Sequence, residues 1–370
     1  MHKLAKPDIS EAAIAQIADV IRTGNLVQGC NVRDFETALE KYFCIKNAVA
    51  CSSGTAALHL SILAMSINAE DEIICPAFTF PATANVVERS GGKVVLADIS
   101  PDDLCLDPHE LEKVITNRTK AIIMVHEFGQ SAQIEEITVL AEKHGIKIIE
   151  DAACAIGTEY YGQKTGTFGL TGCFSFHPRK VITTGEGGAV ITSDDYIAKQ
   201  LRMFRNHGIE IKDGCQEFVE AGLNYRMTEI QAVMGLHQLA ELENIIKKRF
   251  YQAQLYNNFF ANTSSIKRPQ VFTSRISIFQ TYHITIADHI NRNQLIETLK
   301  TADIEAGIGA QALNCTAYYR QKYGYRPEDF PNATRAYHQG IALPIGHHLS
   351  DSDIKYIAET LTQVLESYEN

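Results

Sequence analysis

The segment IKIIEDAACAIGTEYYGQKTGTFGLTGCFSFHPRKVITTGEGGAVITS (146–193) contains three short apolar runs, IKIIED (146–151), GCFSFH (172–177) and GAVITS (188–193). They are mostly apolar throughout rather than alternating, as expected of strands buried on both faces of a sheet. Upstream the same rhythm recurs as NAVAC (47–51), DEIIC (71–75), KVVLAD (93–98) and KAIIMVH (120–126). Stretches with helical spacing of apolar residues lie between them at 55–67, 81–89, 108–116 and 133–144. Alternating strand and helix over this length predicts an α/β fold, a mostly parallel seven-stranded sheet covered on both sides. The last two runs are only about ten residues apart, too close for a helical crossover, so one antiparallel strand enters there.

Outside this block, 9–22, 195–206 and 228–262 read as helices, the last long enough to link two domains. Residues 263–370 have an α+β pattern: strands at TYHITI (281–286) and ALPI (342–345), helices at 290–301 and 350–367. The expected division is 1–240, an N-terminal arm and large α/β domain, and 241–370, a linking helix and smaller C-terminal α+β domain.

Composition narrows the function. Of 370 residues, 34 are Lys or Arg and 44 Asp or Glu, a formal net charge of -10 that argues against a general nucleic-acid binder. The longest apolar run, AIIMV (121–125), is far too short to span a membrane, and the first twenty residues hold no signal-like apolar stretch. A cytoplasmic protein is expected. The nine cysteines are scattered, with no C-x-x-C pair and no Cys/His cluster at zinc spacing, so they read as reduced thiols. The adjacent His347 and His348 would point apart, and no metal site is assigned.

In a parallel sheet, ligands collect beyond the carboxyl ends of the strands. After the first strand comes Ser52-Ser53-Gly54-Thr55-Ala56-Ala57, small residues opening a helix: either a tight turn with an N-cap or an anion cradle. Neither G-x-G-x-x-G nor G-x-x-x-x-G-K-[ST] occurs, so a phosphate on something other than a dinucleotide or nucleoside triphosphate is indicated. Asp151, after Glu150 at the end of the fifth strand, either caps the next segment or holds a protonated heterocyclic nitrogen. Lys180 lies between two buried strands, beside Pro178 and before a Gly-rich turn. That position suits a desolvated amine with its pKa pulled down, ready to attack a carbonyl. Cradle, aspartate and lysine together are the parts of a pyridoxal 5'-phosphate site.

The strings CSSGTAALHL (51–60), PAFTFPATANVV (76–87), IIEDAACAIGT (148–158), GCFSFHPRKVITTGEGG (172–188), RNHG (205–208) and LNYRMTEIQA (223–232) resemble the DegT/DnrJ/StrS family. These are pyridoxal-phosphate-dependent nucleotide-sugar aminotransferases of fold type I, and the resemblance runs from about residue 5 to 365. It implies that Lys180 binds the cofactor covalently and shuttles the proton, that Asp151 pairs with the pyridinium nitrogen, and that Phe80 stacks on the ring. Gly54, Thr55 and Ser175 match the phosphate cradle. Asn224 matches a residue reaching the cofactor phosphate of a neighbouring subunit, which implies a homodimer with composite sites. His177, Arg179, His207 and Arg226 would face the substrate or support the residues that do.

Two departures stand out. Cys154 occupies a position where many relatives have a glutamine bonded to the cofactor's ring oxygen, and IEAGIGAQALN (304–314) lacks the family's His/Tyr-rich pattern. A dehydratase branch has histidine in place of the lysine; with Lys180 present, the chain reads as a transaminase. The expected reaction moves an amino group from L-glutamate to a nucleotide-linked keto-6-deoxysugar, at C4 rather than C3, by a ping-pong mechanism. The alternatives are another keto acceptor, such as a cyclitol, or a non-catalytic cofactor-binding regulator.

Overall fold

All seven apolar runs form strands of one sheet in the computed structural model, which describes residues 1–369. They are β1 (Asn47–Cys51), β2 (Glu72–Pro76), β3 (Lys93–Ala97), β4 (Thr119–Val125), β5 (Lys147–Asp151), β6 (Thr171–Ser175) and β7 (Gly188–Thr192). Their spatial order is β1-β7-β6-β5-β4-β2-β3. Neighbours from β6 to β3 are parallel, whereas β7 runs antiparallel to both β6 and β1. The antiparallel entry therefore falls where the short connection requires it. The sheet interior is almost wholly aliphatic, with Val49, Ile73, Ile123, Ile149 and Val190 fully buried, each side chain contributing roughly 1.5–3 kcal/mol of transfer free energy.

Both outer strands have backbone groups satisfied by side chains. On β1, the amides of Ala48 and Ala50 donate to Glu40 Oε1 (3.0 Å) and Glu36 Oε1 (2.9 Å), and Arg205 Nη1 donates to the Ala50 carbonyl (2.6 Å) and to Glu36. On β3, the amides of Val94 and Leu96 donate to the hydroxyls of Tyr323 and Tyr325, each at 3.2 Å.

Glu36 and Glu40 lie on the helix Cys30–Phe43, which begins after Gly29 with no side-chain cap of its own. Buried Glu229 replaces it: its carboxylate accepts from the amides of Gly29 (2.7 Å), Asn31 (3.0 Å) and Val32 (3.0 Å). Burial alone would raise this carboxyl, but the converging donors outweigh it and hold it below the usual carboxylate range.

The long helix expected over 228–262 is two helices, Glu229–Ala240 and Leu242–Phe259, separated at Glu241 (φ -95, ψ -1). The two halves bury their faces against different partners. Gly235 lies against the Phe35 ring, where a Cβ would come within 2.8 Å, while Ala253 and Tyr256 join a separate apolar cluster. That cluster is built on a small antiparallel sheet of β8 (Ile266–Lys267), β9 (Tyr282–Ile286) and β10 (Gly340–Leu343). The helices Arg292–Thr301 and Asp351–Glu369 contribute Leu295, Ile354 and Leu361 to it. β10 starts two residues earlier than ALPI suggested and ends before Pro344, which has no amide to donate. Among the described residues, no helix is long and apolar enough to cross a membrane.

Candidate active site

Because β7 is antiparallel, its first residue lies beside the last residues of its neighbours: Gly188 pairs with Cys51 of β1 and Ser175 of β6. There the helix Gly54–Ala64 begins. Ser53 caps it, its Oγ accepting from the Ala56 amide (3.1 Å) and its carbonyl from that of Ala57 (3.0 Å). The amides of Gly54 and Thr55 have no intrahelical acceptor and sit at the positive end of the helix. The segments around them pack this closely only because two residues lack side chains. A Cβ on Gly54 would lie 2.6 Å from Ser175 Cβ, and one on Gly188 would lie 2.3 Å from the Ser53 carbonyl oxygen. Turn, cap and cradle are thus one structure, shaped for an oxyanion.

Asp151 ends β5 with 5% exposure. Its Oδ2 accepts from Thr83 Oγ1 at 2.7 Å and its Oδ1 from the Ala153 amide at 3.2 Å; Thr79 Oγ1 lies 3.0 Å from Thr83 Oγ1. The alternation of a strand sends Glu150 to the opposite side. It accepts from the amides of Gly166, Phe168 and Gly169, each at 2.7 Å, and from His126 Nε2 at 2.9 Å. One carboxylate therefore shapes a loop and the other faces the site. Thr83 was absent from the sequence reading, although it lies one turn beyond Phe80 in a quoted string. Phe80 is 67% exposed, whereas its neighbour Phe78 is fully buried.

Lys180 Nζ donates to Cys154 Sγ at 3.0 Å. The expectation of a depressed amine is not met. Burial pulls the lysine down, but Cys154, Asp151 and Glu127 outweigh it and hold the amine above its ordinary value. Burial likewise raises the Cys154 thiol, against the opposing pull of Lys180. Glu127, just beyond β4 and only 4% exposed, is pushed up to about 8 by burial, with Lys180 working against the shift and Asp151 adding to it. Its position after a strand held no signal separating it from an ordinary surface acid.

The remaining candidates fall into two groups. His177 and Arg179 flank the lysine: His177 Nδ1 accepts from the Arg179 amide (3.2 Å), and the exposed Arg179 has its carbonyl held by Gln280 Nε2 (2.9 Å). His207, Asn224 and Arg226 belong to two strands of loop bridged at Asn206 and Asn224. Arg226 Nη1 donates to Asn206 Oδ1 at 2.6 Å, and a second bridge to Cys51 brings this loop to the end of β1. His207 and Asn224 are exposed, His207 with a left-handed backbone (φ 57).

The sequence model of the DegT/DnrJ/EryC1/StrS aminotransferase family matches residues 7–362. The chain belongs to this family. It is 36% identical to GDP-perosamine synthase of Caulobacter vibrioides, over 90% of this chain and 89% of that one. To the UDP-4-amino-4-deoxy-L-arabinose--oxoglutarate aminotransferase of Shewanella sediminis it is 32% identical, over 98% and 97% of the two chains. Its structure superposes on the PLP form of a putative sugar aminotransferase from Streptococcus pneumoniae with a TM-score of 0.94 and 28% identity, covering 99% of both chains. This family member is a pyridoxal-phosphate-dependent sugar aminotransferase, and its residues fit that cofactor. The free amides at the start of the helix Gly54–Ala64, the buried Asp151 carboxylate and the Lys180 amine are groups suited to its phosphate, ring nitrogen and carbonyl.

Proposed function

We propose that the enzyme transfers the amino group of L-glutamate to a nucleotide-linked keto-6-deoxysugar, at C4 in preference to C3, in two half-reactions of ping-pong order. The observation that carries this reading is the convergence of the Gly54–Ser175 cradle, Asp151 and Lys180 at one end of the sheet. The acceptor is supported by the two nucleotide-sugar enzymes the chain resembles. One of their names specifies a 4-amino sugar and oxoglutarate, the keto partner of glutamate.

When bound, pyridoxal 5'-phosphate supplies a carbonyl for amines and a conjugated ring that accepts an electron pair. Gly54, Thr55 and Ser175 would hold its phosphate, Asp151 its ring nitrogen and Phe80 one ring face. Asp151 is kept in place by Thr83, which leaves its carboxylate oriented before any ligand arrives. Lys180 takes the proton from the substrate carbon of the donor and, in the second half-reaction, returns one to the carbon of the acceptor. His177, Arg179, His207 and Arg226 are read as substrate-facing. We read the functional unit as a homodimer in which Asn224 completes the partner's cradle, supported by its exposure and by exposed Phe218 and Ile211 on the hairpin Ile209–Phe218. Residues 1–240 and 241–370 are taken as its two domains.

The test is optical. The protein loaded with pyridoxal 5'-phosphate should be yellow, bleach when L-glutamate is added and release 2-oxoglutarate. A protein that stays colourless with the cofactor, or yellow and indifferent to glutamate, overturns the reading.

A further inference from the structure

We propose that Glu127 is a positioning residue of this site, whose carboxyl governs whether Lys180 keeps or releases its proton before attacking a carbonyl. The inference rests on the reading of Lys180 as the amine that takes the cofactor carbonyl.

The placement of Glu127 is specific. β4 and β5 are neighbours with Val125 opposite Asp151, and the amide of His126 donates to the Asp151 carbonyl at 3.1 Å, so Glu127 follows directly beyond the Asp151 strand end. The chain then turns sharply through two left-handed residues, Phe128 (φ 54) and Gly129 (φ 86). For phenylalanine that conformation is strained, because its Cβ crowds the following carbonyl. It persists because the turn is pinned to the segment carrying Cys154: Thr158 Oγ1 donates to the Gly129 carbonyl (2.8 Å), and a Cβ on Gly129 would meet the Cys154 carbonyl at 3.1 Å. The turn thus fixes an acid beside the lysine and its thiol partner.

The acid is also poorly served as an anion. Only the Phe128 amide acts on it as a hydrogen-bond donor, and among the described residues it enters no ion pair. The Cys105 thiol accepts from the backbone amide of Glu127 and also faces its carboxyl, but burial raises that thiol far above its ordinary value and keeps it neutral. The cavity on its other side holds charged groups already engaged elsewhere. Lys267 pairs with Asp102 (3.0 Å), Arg275 with Asp103 (2.6 Å), and Arg268 donates to the Asn257 carbonyl (2.8 Å). His283, also lining that cavity, is kept neutral by burial, which pushes it down to about 3. The groups left to act on Glu127 are Lys180, Asp151 and Cys154. Each of Lys180 and Glu127 favours the charged form of the other, so the ionisation of one is coupled to the proton on the other.

The cofactor-free protein tests this directly. Parent, Glu127→Gln and Glu127→Asp are exposed to pyridoxal 5'-phosphate and cyanoborohydride from pH 6 to 10, and the label on the Lys180 peptide is counted by mass spectrometry, with surface lysines as internal reference. In Glu127→Gln, Lys180 labelling at pH 9 should rise roughly three- to tenfold, because an amine without a nearby anion loses its proton more readily. Glu127→Asp should return the profile toward the parent. The parent carries its own test: its profile should bend near pH 8, where Glu127 ionises and begins to hold the lysine's proton. A straight parent profile, or identical pH dependence in parent and Gln variant, overturns the proposal while Lys180 remains the reactive amine. Absence of any Lys180 label in the parent overturns the assignment of Lys180, and the role of Glu127 with it.

Discussion

At the scale of single residues, the site is organised by groups that never touch the chemistry. Thr83 is the clearest. Among the described residues it gives Asp151 its only side-chain hydrogen bond, and both groups are buried, so its hydroxyl has no water to compete with. Thr83→Val keeps the shape and removes the donor, leaving a buried carboxylate oxygen short of a partner at a cost of about 1–3 kcal/mol. Affinity for pyridoxal 5'-phosphate, measured by absorbance titration, should fall roughly tenfold or more, and the thermal midpoint of the cofactor-free protein should fall with it. Unchanged affinity would mean that Asp151 is oriented by the backbone alone. The position of Asp151 at a strand end was legible in the sequence because a polar residue closing an apolar run has few places to go, and that of Lys180 because it sits in a short connection between two buried runs. The charge state of Lys180 was not. It depends on Glu127 and Cys154, which approach from two other segments, and no local pattern reports that encounter.

At the scale of elements, the seven strands were legible because burial on both faces writes an uninterrupted apolar run into the chain. The helix Cys30–Phe43 was not, and the reason is physical. A helix start is recognised by its own capping residue, and here the cap is the carboxylate of Glu229, almost two hundred residues downstream. The break at Glu241 was hidden for a similar reason: no Gly or Pro marks it, and only the change of packing partner forces it. The remote cap makes a testable element. A carboxyl held below its ordinary range stabilises the fold fully above the usual carboxylate titration and loses that contribution as pH falls through the lowered value. Glu229→Gln should therefore cost roughly 1–3 kcal/mol near pH 7. The gap in thermal midpoint between parent and variant should close as the pH falls below the usual carboxylate range, and a gap independent of pH would show that the charge of Glu229 contributes nothing to the cap.

At the scale of the whole molecule, the small sheet and its helices surround the Tyr256–Tyr282 stack, whose ring centroids are 4.7 Å apart, while the large sheet presents Asp151 and the cradle. Gln311–Ala312 pairs with Phe78–Thr79, directly before Phe80, and Ala310 and Leu313 beside it join the core of the large sheet. Part of the segment 304–314, which lacks the His/Tyr-rich pattern expected of the family, thus lies next to Phe80. What the sequence could not convey is this joining of distant segments, since the pairing residues are over two hundred positions apart.

The dressed margins of the large sheet have a consequence for how copies of the chain can assemble. Each margin is a potential valence: a strand with free amides can recruit one strand from another molecule. Glutamates close one valence and tyrosines the other. Opening one on each protomer leaves the proposed homodimer with two open margins, so Glu36→Ala with Glu40→Ala should grow into linear chains by light scattering. Opening both by adding Tyr323→Phe and Tyr325→Phe gives the homodimer four open margins, and such units cross-link into networks. If both variants keep the parent's mass, the valences are closed by the bulk of the covering helices, and the hydroxyls and carboxylates serve stability alone.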